Sequence, residues 1–131
     1  TLFRSLEIEV VDDLPHGAGG KYTITELPPV VQLSSVNAVY VTDINGDGKK
    51  DLIMGGNLVY WQPQFSRIDA SYGHVMINLG NRNWKYIPND ESGIMVRGEV
   101  RDIRELQMKD KKYFLFLLNN DFPVMYSLNH K

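Results

Sequence analysis

The sequence predicts an all-β fold, and three observations carry that expectation. Short apolar runs alternate with polar residues at a period of two along most of the chain. Clusters of Gly, Asn, Asp and Pro separate these runs at close intervals, as turns do. Helical periodicity is nearly missing: only Val100, Ile103 and Leu106, spaced by three, fit a short helix as well as a strand.

Taken in order, Leu6–Val11 (LEIEVV) and Tyr22–Glu26 (YTITE) alternate and read as two strands. Pro15 and Gly17-Ala18-Gly19-Gly20 lie in the long connection between them. Val36–Thr42 (VNAVYVT) and Asp51–Gly55 (DLIMG) flank an acidic loop. Gly73–Leu79 (GHVMINL) turns through Gly80-Asn81-Arg82-Asn83 into Trp84–Ile87, and Asp90-Glu91 before Ser92-Gly93 reads as a solvated turn. Tyr113–Leu118 is six apolar residues in a row, the pattern of a strand covered on both faces. Asn119-Asn120-Asp121 makes a turn before Pro123, and Val124–Leu128 is the last strand.

The pattern repeats. Tyr22 and Trp84 are 62 positions apart, as are Leu52 and Phe114, and Asn57 and Asn119. In this register Lys21 meets Asn83 and Val41 meets Ile103, so the ambiguous stretch inherits a strand. A period near sixty residues with about four strands per unit describes the blade of a β-propeller, a small twisted sheet that stacks on its neighbours around an axis. The chain then holds about two four-stranded blades: the last strands of one at 6–26, a complete blade at 36–87, and a final blade at 99–128 lacking its fourth strand. A ring needs more, so the remaining blades of the same chain are expected elsewhere in a longer protein. Residues 1–5, Thr1-Leu2-Phe3-Arg4-Ser5, match the translated end of a common sequencing adapter and are expected to be a sequencing scar.

Composition narrows the function classes. The chain has 131 residues, 43% hydrophobic and 23% charged, in the range of one ordinary globular domain. A net charge of −2 with signs interspersed provides no basic field for a phosphate backbone, so no nucleic-acid partner is expected. The longest apolar run is far too short for a membrane span. Without Cys, neither a disulfide nor a thiolate metal site can form. No nucleophile elbow, phosphate-cradling glycine loop or second pair of acids stands out, and the chain is expected not to be an enzyme by itself.

One motif carries chemistry. In Asp43-Ile44-Asn45-Gly46-Asp47-Gly48-Lys49-Lys50-Asp51, side-chain oxygens stand at positions 1, 3, 5 and 9, with Gly at position 6. Alternate residues of a tight loop turn inward, so Asp43, Asn45, Asp47 and Asp51 converge, and the carbonyl of Lys49 at position 7 adds a fifth oxygen. An all-oxygen set of this size suits Ca²⁺, with Mg²⁺ second choice. An EF-hand would need Glu at position 12, where Met54 stands, and helices on both sides. The alternative is a metal-free, Asx-rich hairpin turn.

The run D-I-N-G-D-G-K-K-D-L-I-M-G-G-N resembles the calcium-loop core of FG-GAP (VCBS) repeats, the blades of integrin-α-like propellers. R-I-D-A-S-Y-G, N-L-G-N-R-N-W and S-G-I-M-V-R-G-E-V-R-D-I resemble C-terminal blades of large bacterial proteins with VCBS repeats, of the ASPIC/UnbV-associated kind. The resemblance runs from about Glu26 to Leu128. It implies a seven-bladed, secreted or cell-surface propeller with calcium at the blade edges and a protein or glycan ligand on its face loops. The alternative it leaves is a secreted polysaccharide lyase or hydrolase, for which these blades are scaffold. The final blade departs from the pattern: Glu105–Lys112 lacks spaced carboxylates, and no metal site is expected there.

Two further features have two readings each. The insertion Val59–Tyr72, with Tyr60, Trp61, Phe65, Arg67 and Asp69, is either a ligand surface or a lobe pinned to its own blade, and the pinned lobe is favoured. His74 alternates with Val75 and Ile77 and is expected at a surface or between blades rather than as a ligand.

Overall fold

Most runs of alternating apolar residues form strands among the described residues. The computed structural model describes residues 7–8, 25–58 and 69–128. Residues 1–5 and most of the insertion, including Tyr60, Trp61, Phe65 and Arg67, lie outside the described residues. β1 (Glu7–Ile8) pairs antiparallel with β2 (Thr25–Glu26). β3 (Val36–Thr42), β4 (Asp51–Gly56), β5 (His74–Gly80) and β6 (Asn83–Ile87) follow as a four-stranded antiparallel meander. β7 (Val100–Met108), β8 (Lys111–Leu118) and β9 (Val124–Ser127) form a three-stranded one. The all-β expectation holds. Among the described residues, helical structure is confined to a 3-10 turn at Pro29–Leu33 and a single α-turn, α1 (Asn89–Ser92). α1 replaces the simple turn expected at Asp90-Glu91, and Gly93 ends it at φ 73°, a left-handed conformation that glycine adopts without strain.

The stretch with the ambiguous spacing is a strand. A β-bulge between Val100 and Asp102 shifts its phase by one residue. Val100 and Ile103 therefore both reach the core at 2% exposure, while Leu106 is 38% exposed. The bulge produces the three-residue spacing that imitates a helix.

The two meanders stack face to face. Ala38, Ile53 and Val75 of the first sheet meet Val100, Ile103, Phe114 and Phe116 of the second, with Ile94 and Val96 of the connecting segment between them. The Tyr40 and Phe114 rings lie 6.2 Å apart, within range of a favourable tilted pair. The opposite face of the first sheet carries Leu52, Met54 and Met76 under Leu27 and Val31 of the preceding connection. β4 is consequently buried at every residue.

Two expectations are corrected. Tyr113–Leu118 is not covered on both faces: Phe114 and Phe116 are buried, but Leu117 is 36% exposed, because a described sheet packs on one side only. The 62-residue register holds for β4 and β8 but not for β3 and β7. Each sheet bears a bulge at the same place, Val36/Ala38 against Gly56/Gly55 and Val100/Asp102 against Leu118/Leu117. The backbone bonds Asn57 N–H to Ser35 and Asn119 N–H to Glu99 also correspond. These matches place Phe114 62 positions after Leu52, but Glu105 64 positions after Val41. The second hairpin is tighter by two residues, closing between Met108 and Lys111 where the first carries the acidic loop. A two-residue shift keeps every side chain on its face, so Ile103 still points the same way as Val41.

Gly55 sets the distance between the sheets. A Cβ there would sit 2.8–2.9 Å from the side-chain carbons of Val100. Gly55→Ala should destabilise the chain by about 1–3 kcal/mol, as overpacking does. Urea unfolding with the slope unchanged and the midpoint lowered checks this.

Candidate metal site

The acidic loop grows out of the β3–β4 hairpin, closed at its base by the pair Thr42 and Asp51. Its carboxylates organise the loop backbone. Asp43 accepts from the N–H of Gly46 at 2.7 Å and of Gly48 at 2.8 Å, one bond to each oxygen. Asn45 Oδ1 accepts from Asp47 N–H at 3.1 Å, and Asp47 Oδ1 from Lys49 N–H at 2.9 Å. Such Asx turns let a short side chain imitate a backbone turn, and Gly46 and Gly48 supply the left-handed positions between them, at φ 78° and 83°.

Asp51 differs from the others. It is fully buried at the start of β4, and both its oxygens are bonded: Oδ2 by Ile44 N–H at 2.9 Å and Oδ1 by Asn78 N–H of β5 at 2.8 Å. It thus fastens the base of the loop to the neighbouring strand, β5. Asp47, by contrast, is exposed. The Lys49 ammonium donates to its Oδ2 at 2.9 Å, and this bond, followed by the Lys49 N–H, holds its carboxyl below the usual carboxylate range. The Lys49 stem lies over Gly80, where a Cβ would be 3.3 Å from Cε.

Asp43, Asn45 and Asp47 therefore share one exposed turn, with Asp51 at its buried base. Among the described residues no three His, Asp or Glu side chains are gathered to hold a metal ion. The donor set has the chemistry of a Ca²⁺ site, all hard oxygens, and a carboxylate oxygen bonded once retains a lone pair. In this arrangement backbone amides and one ammonium satisfy it. Compared with known proteins, the chain matches no family model, no curated protein and no solved structure.

Below the loop, a polar clasp ties the hairpin to the second sheet. Thr42 Oγ1 donates to Glu105 Oε2 at 2.9 Å, and Lys112 Nζ reaches the same carboxylate oxygen at 3.4 Å. Lys112 also lies 3.4 Å from the Thr42 hydroxyl. Sequence reasoning missed this clasp, since Thr42 stands more than sixty positions before Glu105 and Lys112 and the three carry no motif.

A second cluster was also missed. Asn57, 2% exposed at φ 77°, accepts from Ser34 Oγ and Ser71 N–H on its Oδ1 and donates its amide to the carbonyls of Ser71 and Gly98. The available signal was Gly55-Gly56-Asn57 after a strand, because Asn is the side chain most tolerant of positive φ. Ser71 Oγ in turn lies 3.1 Å from His74 Nε2. His74 is 3% exposed and its Nδ1 has no hydrogen-bond partner. It is a buried histidine bonded to a serine, so of the two positions the sequence suggested, at a surface or between blades, the surface one does not hold. At the surface beside this cluster, Tyr72 is 39% exposed with Arg97 at 6.0 Å from its ring.

Asp51→Ala would strand two partly buried N–H groups, those of Ile44 and Asn78. With a chelator present throughout, it should still cost about 1–3 kcal/mol in denaturant unfolding. Burial pushes the His74 pKa below its ordinary value of 6.5. The unfolded chain then takes up this proton at a higher pH than the folded one. The stability that neutral His74 contributes is full above about pH 6.5 and is lost as pH falls from there toward the depressed folded value. Melting temperatures measured from pH 7.5 to 5.5 should fall less steeply for His74→Gln than for the unchanged chain.

Proposed function

We propose that this chain is a calcium-binding segment of an FG-GAP/VCBS-type β-propeller, a non-catalytic scaffold outside the cytoplasm that presents its loops to a protein or glycan. The observation that carries the reading is the D-x-N-x-D-G-x-x-D loop on the first hairpin of a four-stranded meander. Two features support the propeller half: a second meander with the same bulge stacks on the first, and each sheet is antiparallel in simple sequence order. Propeller blades are four-stranded sheets of this kind.

Asp43, Asn45, Asp47, the Lys49 carbonyl and Asp51 are the residues that would hold the ion. Bound calcium would supply the positive charge that Lys49 now brings to Asp47, and its role is stability rather than chemistry. Without a counter-charge, three carboxylates crowd one nine-residue turn. Extracellular calcium modules bind at about 10⁻⁴–10⁻³ M, an affinity matched to the outside of a cell. At about 10⁻³ M free calcium and a Kd of about 10⁻⁴ M, binding adds roughly 1.4 kcal/mol. That is modest for one hairpin and additive over several repeats. No helix of the described residues is long and apolar enough to cross a membrane.

Calorimetric titration with CaCl₂ and thermal melting with and without chelator test the reading. Calcium should bind once and raise the melting temperature, Asp47→Ala should abolish both effects, and Lys50→Ala should leave them unchanged. Equal melting in chelator and in calcium would leave the loop as a metal-free Asx turn.

A further inference from the structure

At position 7 of the acidic loop only the backbone carbonyl belongs to the donor set, so the side chain there is free to do something else. It is Lys49, and its ammonium lies on a carboxylate of the set, 2.9 Å from Asp47 Oδ2. The Lys49 N–H donates to the other oxygen of the same carboxylate, also at 2.9 Å. One residue thus holds Asp47 at both oxygens.

The Lys49 side chain is not a loose surface chain. It is half-buried, and its stem lies across Gly80 in the turn between β5 and β6. A Cβ at Gly80 would stand 3.3 Å from Lys49 Cε and 3.7 Å from Cδ. Laying the methylenes of a lysine on a neighbouring surface while its head stays wet is favourable, and it restricts where the head can point. Here it points at Asp47. The same stretch of chain also holds the base of the loop: Gly80 N–H donates to Asn78 Oδ1, and Asn78 N–H to Asp51. Lys50, next in the chain, is exposed.

We propose that the Lys49 ammonium is a tethered stand-in for the metal ion, and that its displacement from Asp47 sets the calcium affinity of the loop. This rests on the reading of the loop as a calcium site given above. Asp43, Asp47 and Asp51 bring three carboxylates to one turn, and a cation fixed beside Asp47 offsets their repulsion when no metal is bound. An incoming ion has to take Asp47 from that cation. Once displaced, the ammonium stays tethered nearby and repels the ion that replaced it. Both effects weaken calcium binding relative to a loop without the lysine, and the first steadies the metal-free loop.

Calorimetric titration with CaCl₂, and thermal melting in chelator and in calcium, test this on the full chain and three variants. Lys49→Met keeps a stem for Gly80 and removes the ammonium. It should bind calcium severalfold more tightly and melt lower than the unchanged chain in chelator, so that the gain in melting temperature on adding calcium widens. Lys49→Arg restores a cation and should return both values toward those of the unchanged chain. Lys50→Met removes the same charge one position along and should alter neither. Equal calcium affinity of Lys49→Met and the unchanged chain overturns the inference and leaves the calcium reading standing. A gain in Lys50→Met as large as in Lys49→Met also overturns it, since net charge alone then accounts for the effect. Calcium binding by Lys49→Met but not by the unchanged chain supports it in its strongest form. Failure of both chains to bind removes the calcium reading and this inference with it.

Discussion

β4 is apolar on both faces, and the rest of the structure accommodates that constraint. Leu52 and Met54 point one way, Ile53 the other, and none of the three exceeds 3% exposure. Burying each contributes about 1.5–3 kcal/mol, whereas an exposed ion pair such as Arg104 with Asp102 contributes about 0–1 kcal/mol. A strand of this kind cannot sit in a sheet with one wet side. It needs a layer behind it, which Leu27 and Val31 begin, and a layer in front, which the second sheet provides. Stacking is therefore a requirement of the strand's composition, and the polar clasp of Thr42, Glu105 and Lys112 settles alignment more than it adds stability.

The same constraint explains why the acidic loop is held so firmly at one end and so loosely at the other. Asp51 begins β4 and is drawn into the core with it, so both its oxygens must be bonded, and Ile44 and Asn78 supply the donors. Asp43, Asn45 and Asp47 stand clear of the sheets and are organised by bonds within the loop, to its backbone N–H groups and to the Lys49 ammonium. A ligand set with one buried, prearranged carboxylate, one half-buried carboxylate and two exposed groups is partly preorganised. Any cation it takes has to exchange with the Lys49 ammonium at Asp47, the one loop carboxylate already paired with a cationic side chain.

Strand positions were legible because period-two alternation reports directly on which face is buried. Val36–Thr42 forms a strand with those limits, and Asp51–Gly55 extends by one residue to Gly56. The internal repeat was legible for β4 and β8, whose apolar residues are obligatory, and misjudged for β3 and β7. There Ile103 and Glu105 both occupy acceptable positions on the same face, and period two is blind to even shifts. The bulge at Val100 could be seen only as an ambiguous spacing. The loop's residues and its hairpin setting were legible from composition and spacing, while the partners of its carboxylates were not, since Asn78 donates through its backbone and leaves no trace in side-chain type.

Asn57 shows how a residue without a motif can hold a junction. Each sheet turns from its second strand into an Asn, and in each case the Asn N–H closes on a carbonyl preceding the first strand. In the first sheet seventeen residues separate Gly56 from His74, and in the second only five separate Leu118 from Val124. The longer excursion has to leave and return beside the core, where backbone groups cannot go unpaired. Asn57 meets that demand with one side chain, bonding both the N–H and the carbonyl of Ser71 on the returning segment and the carbonyl of Gly98 before the second sheet. Asn119, serving the short turn, has no returning segment to anchor. The difference in burial chemistry between the two asparagines thus follows from loop length, and the polar cluster around Ser71 and His74 is a consequence of inserting a long connection into a stack whose faces must stay dry.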